Sequence, residues 1–362
     1  MDFHLSLRLN AAILSKWLTG QTLTTSIFRR VDAQGSILII ALWSISLLSV
    51  FALISGSQVR YMMTLVKRLD ERTQLRFIAE AGVRLAIAEL KTEEKNYHAM
   101  TDMWSNNPQA FKDTSAGEGT FSICYDYVYD RSKKPELKYG LVDEERKINI
   151  NMADRAVLKR LFMLTMDIDE EEAQDLAASI IDWRDGDEEL SVPVGSAEST
   201  HYRGLTYPYD AKNGLFEVMD ELYLVKGIDR DVFEKMKDYV TIYGSGRINV
   251  NTAPKEVLMA AGLGERIAND IISFRMGRDK MIGTDDDGIF ETTSSIVPKL
   301  SQFVSLSPSD ISEISVVVDQ CLAVNSSAFK IRSISKSKSG KSSYMTIAVV
   351  DKKGKILYWQ ES

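Results

Sequence analysis

Carboxylate side chains gather in one segment of this 362-residue chain. Residues 181–190 (IDWRDGDEEL) carry five of them around a tryptophan and a glycine, and Glu198 and Asn213 follow downstream. Carboxylate and amide oxygens that converge on one loop suit a hard cation, and Ca²⁺ accepts roughly six to eight such oxygens in flexible geometry. The spacing is not that of an EF-hand loop. A second acidic turn at residues 284–288 (TDDDG) has the same character and departs from the EF-hand in the same way.

Three interpretations fit these carboxylates. They form a structural Ca²⁺ site that holds a loop together, or a solvated acidic loop without a ligand, or the paired carboxylates of a glycosidase or a two-metal nuclease. The chain has only three histidines, His4, His98 and His201, which weakens any hydrolase that depends on a histidine base. The structural calcium site is favoured, and a membrane-anchored metal-dependent hydrolase stays as the alternative.

An internal repeat frames the acidic segment. Residues 147–158 (KININMADRAVL) match residues 247–258 (RINVNTAPKEVL) at an offset of 100, with six identical positions. Each copy predicts a short extended segment followed by a helix, with Asn151 capping the first helix and Pro254 in the first turn of the second. The two copies therefore predict paired helical subdomains.

Such Asn-x-Ala helix entries also occur in helix-hairpin-helix modules, which bind DNA phosphates through backbone amides. The surroundings here are acidic, the formal net charge is −7 and the sequence pI is about 5.3. A polyanion such as DNA is an unfavourable partner for such a chain, so no nucleic acid is expected. A DNA-binding, competence-type pilin is kept as a second alternative.

A long apolar segment lies near the N-terminus. Residues 33–59 contain no charged side chain, and about 20 apolar residues suffice to span a bilayer. Arg29 and Arg30 lie just upstream, so the positive-inside rule places them in the cytoplasm and the rest of the chain outside it. Gly35 and Ser36 at the edge of the segment resemble the junction at which prepilins are cleaved.

The helical pattern continues to about residue 95, and strands follow it. Four residues at helical spacing, Phe77, Ala81, Leu85 and Ala88, predict the stripe that packs on a sheet. Strands are predicted at residues 119–129, 137–142, 328–334, 344–350 and 355–359. Cys124 and Cys321 either pair in an oxidising compartment or lie buried separately, with burial slightly favoured.

These features together resemble the K-type minor pseudopilin of bacterial type II secretion systems. Besides the Gly35–Ser36 junction, the resemblance rests on residues 79–86 (AEAGVRLA), 182–187 (DWRDGD), 211–213 (AKN), 220–222 (DEL) and 247–253 (RINVNTA). It implies an α+β fold in which a long N-terminal transmembrane helix lies on a pilin-like antiparallel sheet that is interrupted by a large, mainly helical insertion domain. The implied parts are a leader (1–35), the helix (36–95), the first part of the pilin-like domain (96–145), the insertion (146–322) and the C-terminal strands (323–362).

The resemblance also implies sites and partners. The prepilin peptidase would cleave after Gly35 and Ser36 would be N-methylated, although a 35-residue leader is longer than is usual for prepilins. Members of the family bind calcium in the insertion, which carries over here to Asp185, Asp187, Glu198 and Asn213. The implied partners are the I-, J- and H-type minor pseudopilins and the major pseudopilin. The implied location is a single-pass anchor in the bacterial inner membrane with the C-terminal domain in the periplasm.

The fifth residue after the junction suggests a position in the filament. In ordinary pilins this residue is a glutamate that offsets the terminal ammonium of the subunit ahead, inside an apolar bundle where an unpaired charge is costly. Counted from Ser36, the fifth residue here is Ile40. A subunit without that carboxylate is best suited to having no predecessor. Together with the resemblance, this residue implies a non-enzymatic tip subunit that initiates the pseudopilus and supports protein export across the outer membrane.

Overall fold

A computed structural model describes residues 33–166 and 168–362, with side chains from Ile37 onward. The predicted leader lies outside the described residues except for its last three positions. The described chain divides into two units, which meet between Lys67 and Arg68.

The secondary structure alternates between long and very short elements. The helices are α1 (Ala33–Lys91), α2 (Pro108–Phe111), α3 (Arg155–Thr165), α4 (Glu170–Arg184), α5 (Ser199–Arg203), α6 (Arg230–Met236), α7 (Lys255–Ala260), α8 (Glu265–Arg275), α9 (Ile296–Phe303) and α10 (Pro308–Gln320). The strands are β1 (Thr114–Ala116), β2 (Gly119–Ile123), β3 (Tyr125–Tyr127), β4 (Glu136–Lys138), β5 (Val142–Asp143), β6 (Ile148–Asn149), β7 (Val240–Thr241), β8 (Ile248–Asn249), β9 (Leu322–Ala323), β10 (Ala328–Ser337), β11 (Ser343–Asp351) and β12 (Ile356–Glu361).

The first unit is the apolar part of α1. Helix α1 from Ile37 is long and apolar enough to cross a membrane, and none of its most apolar stretch is buried in the protein. Ile40 lies in this stretch with 63% of its surface exposed. The helix ends at Lys91, slightly before the predicted residue 95.

The second unit contains the pilin-like sheet. Its strands follow the order β1-β2-β10-β11-β12, every neighbouring pair is antiparallel, and β5 pairs with β10. The part of α1 that belongs to this unit packs on the sheet through Leu75, Ala79, Val83, Ala86 and Leu90. The expected α+β fold is therefore confirmed.

The predicted packing stripe of α1 is wrong. Phe77 is 55% exposed and Ala88 is also exposed, while Ala81 and Leu85 are only half-buried. The helix carries two adjacent apolar stripes, and periodicity alone does not decide which of them faces the sheet. The buried stripe includes Gly82, where a Cβ atom would lie 2.3 Å from the Ser333 Oγ, so this glycine permits the close approach of helix and sheet.

The insertion consists of two related halves that share one hydrophobic core. In the first half β6 pairs in parallel with β7, and in the second β8 pairs in parallel with β9. Helices α3 and α4 follow β6, while α7 and α8 follow β8. The predicted strand at residues 119–129 is broken at Cys124, because β2 belongs to the large sheet and β3 to a separate pair with β4. Cys124 and Cys321 are free and half-buried.

The two ends of the insertion meet at a buried carboxylate. The Asp143 Oδ2 accepts hydrogen bonds from the Asn249 Nδ2 at 3.0 Å, the Thr252 Oγ1 at 2.5 Å and the Ser326 Oγ at 2.8 Å. Burial, followed by the nearby Glu145, raises the pKa of Asp143 to about 6. Asp143 also lies opposite Phe329 in the pairing of β5 with β10, so the chain leaves and re-enters the sheet at one place.

Candidate functional site

The candidate site begins where helix α4 ends. The Asp169 side chain caps the start of this helix by accepting from the Glu172 N–H at 2.9 Å. Its last residue, Arg184, donates from its guanidinium to the carbonyl oxygens of Ile150 and Ala153, which fixes the end of the helix against the turn after β6. Asp185 follows at once as the C-terminal cap.

Three of the predicted ligands lie together. One oxygen each of Asp185, Asp187 and Glu198 lies within 4.8 Å of the others, and Glu198 is only 3% exposed. The Asn213 Nδ2 donates to the Asp187 carbonyl at 3.1 Å and to the Glu188 Oε1 at 3.2 Å, which places this residue beside the carboxylates. The structure thus brings together all four residues that the sequence singled out.

Several oxygens at this place are buried and accept no hydrogen bond among the described residues. They are the Asp182 Oδ2, the Asp185 Oδ1, both carboxylate oxygens of Glu198 and the Asn213 Oδ1. A buried acceptor without a donor costs roughly 1–3 kcal/mol, and more when it is charged. A hard divalent cation satisfies oxygens of this type, so the donor set fits calcium.

The electrostatics of the carboxylates point in the same direction. Burial raises the pKa of Glu198 to about 7, and the charges of Asp182 and Asp185 add to the effect. Burial and the neighbouring Asp187 likewise raise the pKa of Asp185. Like charges held this close repel one another unless a cation lies between them.

Sequence reasoning did not select Asp182 or Glu188 from the acidic run. Asp182 is fully buried, and its second oxygen, Oδ1, accepts from the Ser191 N–H at 3.0 Å. Its position three residues before Asp185 on a helix was the available signal, since residues i and i+3 share a face. Glu188 accepts from the Ser199 Oγ at 3.0 Å and from Asn213, so it orients the asparagine amide.

The structural similarity of the two halves extends well beyond the matching segments 147–158 and 247–258. The Asn151 side chain binds both backbone polar groups of Phe216, at 2.8 and 3.0 Å, and Asn251 binds those of Phe290 in the same way, at 2.9 and 2.9 Å. The segments NGLF, ending at Phe216, and DGIF, ending at Phe290, therefore correspond.

The expected helix caps are not formed. Asp154, and not Asn151, caps α3 by accepting from the Val157 N–H at 2.8 Å, and Pro254 precedes α7 as its N-cap residue. Asn149 is also used internally, because its Oδ1 accepts from the Asn151 N–H at 2.9 Å. These asparagines therefore make their contacts inside the protein. A DNA-binding role would not require such internal contacts.

The second acidic turn occupies the corresponding place in the second half. One oxygen each of Asp279, Asp286 and Asp287 lies within 4.8 Å of the others. In contrast to the first group, these carboxylates have donors: the Asp286 Oδ2 accepts from the Arg278 N–H at 2.6 Å, and the Asp287 Oδ2 accepts from the Gly283 N–H at 2.7 Å. Of these two groups of carboxylates, the one in the first half of the insertion therefore holds the buried oxygens without a donor.

An apolar helix able to cross a membrane, whose later part packs on an antiparallel sheet that a helical insertion interrupts, is the architecture that the resemblance implied. Residues 139–245 match the family model described as "Type II secretion system (T2SS), protein K". The resemblance to the K-type proteins of type II secretion systems is thereby confirmed.

The individual relatives agree with the family match. The type II secretion system protein K of Aeromonas hydrophila is 35% identical over 106 residues, which are 29% of this chain and 30% of the relative. The chain thus aligns with less than a third of that relative's length. The fold matches a chain in the crystal structure of the GspK-GspI-GspJ complex from the enterotoxigenic Escherichia coli type 2 secretion system with a TM-score of 0.61 and 16% identity, covering 82% of this chain and 99% of that one.

Proposed function

We propose that this chain is the tip subunit of a type II secretion pseudopilus, where it initiates assembly and supports protein export across the outer membrane. The observation that carries this proposal is Ile40, the fifth residue after the proposed cleavage junction, in a segment without a charged side chain. An apolar bundle penalises an unpaired ammonium. A subunit that offers no carboxylate to a predecessor therefore occupies the first position.

The insertion and the fold relative support the same placement. The insertion lies beside the pilin-like sheet and is much larger than the sheet itself, so it would obstruct another subunit stacked above it. We propose partners of the I and J types, because the fold relative was crystallised in a complex with GspI and GspJ. We extend the partners to the H-type minor pseudopilin and the major pseudopilin, which the resemblance implies.

Maturation is part of the proposal. The prepilin peptidase would cut after Gly35 and leave Ser36 as an N-methylated first residue, with the helix anchored once in the inner membrane and the second unit in the periplasm. The intact mass of the membrane-extracted protein tests this, because removal of residues 1–35 and methylation change it together. A mass that includes those residues would contradict the proposal.

The position in the filament is tested by Ile40→Glu, with Ile40→Leu as the matched control. The glutamate would provide the missing partner for a predecessor's ammonium, so the variant should appear along the shaft as well as at the tip. Site-specific crosslinking to the major pseudopilin in assembled filaments measures this distribution. If the native protein crosslinks along the shaft as often as the variant does, the tip assignment fails.

We further propose that the insertion holds a structural calcium ion and that the protein is not an enzyme. The ion would be bound by Asp185, Asp187, Glu198 and Asn213, with Asp182 behind them. Its charge would offset the repulsion among the carboxylates and fix the loop after α4. Under the hydrolase alternative, chelation would abolish a measurable turnover, whereas here it should lower only the stability of the fold.

A further inference from the structure

A cleft separates the outer face of the pilin-like sheet from the insertion. Two cavities of about 350 and 430 Å³ open there, within the range of roughly 300–1,000 Å³ that is usual for binding sites. Both cavities are lined by the same five residues, namely Lys147, Lys237, Asp238, Lys330 and Arg332. The cavities are therefore two ends of one cleft, and its centre carries four cationic side chains and one carboxylate.

Three of the four cations have an anionic partner. Lys147 binds the Glu144 carboxylate at 2.8 Å, Lys237 binds Glu234 at 2.5 Å, and Arg332 lies 3.5 Å from Asp126. Lys330 is half-buried and makes no side-chain hydrogen bond or ion pair with any residue that the structure describes. Burial, together with the charge of Lys147, lowers the pKa of this lysine. The carboxylates of Glu144 and Asp238 oppose this shift from a greater distance, so among the four cations Lys330 is the one without a close ion pair.

Apolar side chains surround this lysine. Lys330 lies directly opposite Val349 in the pairing of β10 with β11, and Arg332 lies opposite Ile347. Phe233 of the insertion lines the other side of the same cavity. Because alternate residues of a strand point to opposite faces, these groups lie on the face of the sheet that α1 does not cover.

We propose that this cleft binds an extended, acidic segment of a partner protein. A carboxylate of that segment would pair with the Lys330 ammonium, and its alternate apolar side chains would contact Ile347, which is half-buried on this face. Charge complementarity identifies this occupant, since a half-buried lysine without a close ion pair is stabilised by a carboxylate that enters with its own apolar neighbours. Such a binding surface is separate from α1, which packs on the opposite face of the sheet.

The test uses the full chain in detergent micelles and a labelled ten-residue peptide that alternates glutamate with valine. Fluorescence anisotropy should detect binding that weakens as salt is added, and a peptide with lysine in place of glutamate should not bind. Lys330→Met keeps most of the aliphatic stem and should reduce the affinity about tenfold. Lys341→Met, in the exposed turn between β10 and β11, is the matched control and should leave the affinity unchanged.

Charge exchange gives a second measurement. The Lys330→Glu variant should no longer bind the acidic peptide and should bind the lysine peptide instead. Loss of folding alone would not produce this exchange. The proposal is overturned if the acidic peptide fails to bind, if both peptides bind native protein equally, or if Lys330→Met binds as the native protein does. It is also overturned if the chain self-associates and the peptide does not compete, because a second copy then fills the cleft. None of these results bears on the filament position that Ile40→Glu tests.

Discussion

Arg184 and Arg275 hold equivalent positions in the two halves of the insertion. Arg184 ends α4 and binds the carbonyl oxygens of Ile150 and Ala153, and Arg275 ends α8 and binds the Ala253 carbonyl in the same way. Each arginine therefore connects the end of a helix to the turn after a short Asn-containing strand. In the first half alone, that helix end leads directly into the candidate calcium ligands.

This relationship predicts different results for two matched variants. Arg184→Met and Arg275→Met should each lower the thermal unfolding temperature, because each leaves buried carbonyl oxygens without a donor at a cost of roughly 1–3 kcal/mol. Only Arg184→Met should also weaken calcium binding, since it frees the end of α4 beside Asp185. Calorimetric titration with calcium separates the two variants. Equal losses of calcium affinity would refute the connection between Arg184 and the site.

Calcium removal should destabilise the native protein. A ligand at about 100 times its dissociation constant contributes about 2.7 kcal/mol to the free energy of unfolding, so a chelator should lower the unfolding temperature accordingly. Asp185→Asn should abolish this response. Without calcium the same variant should be more stable than the native protein, because the pKa of Asp185 is raised and its charge is therefore unfavourable there. Asp279→Asn in the second acidic turn is the control and should keep the chelator response.

A native protein with the same unfolding temperature in calcium and in chelator would exclude a structural ion at this site. If Asp279→Asn loses the response to chelator and Asp185→Asn keeps it, the ion is bound in the second half of the insertion. Both results come from one set of unfolding curves.

The contact between α1 and the sheet should not tolerate a side chain at Gly82. In Gly82→Val the added atoms would meet the Ser333 Oγ and the Phe121 ring, and overpacking of this kind costs about 1–3 kcal/mol. Ala88→Val makes the same kind of change on the exposed side of the helix, where about 0.5 kcal/mol or less is expected. Chemical denaturation of the two variants measures the difference. Equal stabilities would mean that the helix does not lie this close to β10.

Acidification should destabilise the protein through His98. This imidazole is fully buried, its Nδ1 accepts from the Ser326 N–H at 2.8 Å, and burial, followed by the charge of Lys352, lowers its pKa from 6.5 to about 4. The neutral form therefore contributes stability above pH 6.5 that is lost as the pH falls toward 4, by about 3 kcal/mol in all. Because Asp143 changes stability in the opposite direction over the same range, the loss is measured as the difference between the native protein and a variant without the imidazole.

The variant His98→Gln isolates this effect, because its amide still accepts a hydrogen bond and does not titrate. As the pH falls from 6.5 toward 4, its stability should rise relative to that of the native protein by about 3 kcal/mol. His201→Gln, which replaces an exposed histidine, should behave like the native protein. Asp143, with its pKa raised to about 6, changes stability in the opposite direction but does so equally in all three proteins. Parallel pH profiles for native protein and His98→Gln would contradict the assignment.

Part of this architecture follows from the sequence and part does not. The uncharged segment and the three C-terminal strands were predicted, because composition and local spacing determine them. The group of Asp185, Asp187, Glu198 and Asn213 was instead taken from the family resemblance, which selected these four within the acidic run and downstream of it. The stripe containing Phe77 was assigned to the wrong face, since α1 has two apolar stripes and only the position of the sheet decides between them. Asn151 was assigned as a helix cap, but its partner Phe216 is distant in the chain, and no local pattern shows such a contact.

The polar junction around Asp143 was not anticipated either. Residues 143–147 (DEERK) look like a solvated charged run, yet all five are buried. Their partners are on segments about a hundred or more residues away, such as Thr241, Asn249 and Ser326. Burial of a charged run depends on those long-range partners, which local sequence does not reveal.

The chain leaves the sheet next to Asp143 and returns to it next to Ser326. About half of the protein therefore forms a single long connection between two adjacent strands, β5 and β10. The strand order of the sheet therefore does not restrict the length or the fold of this connection.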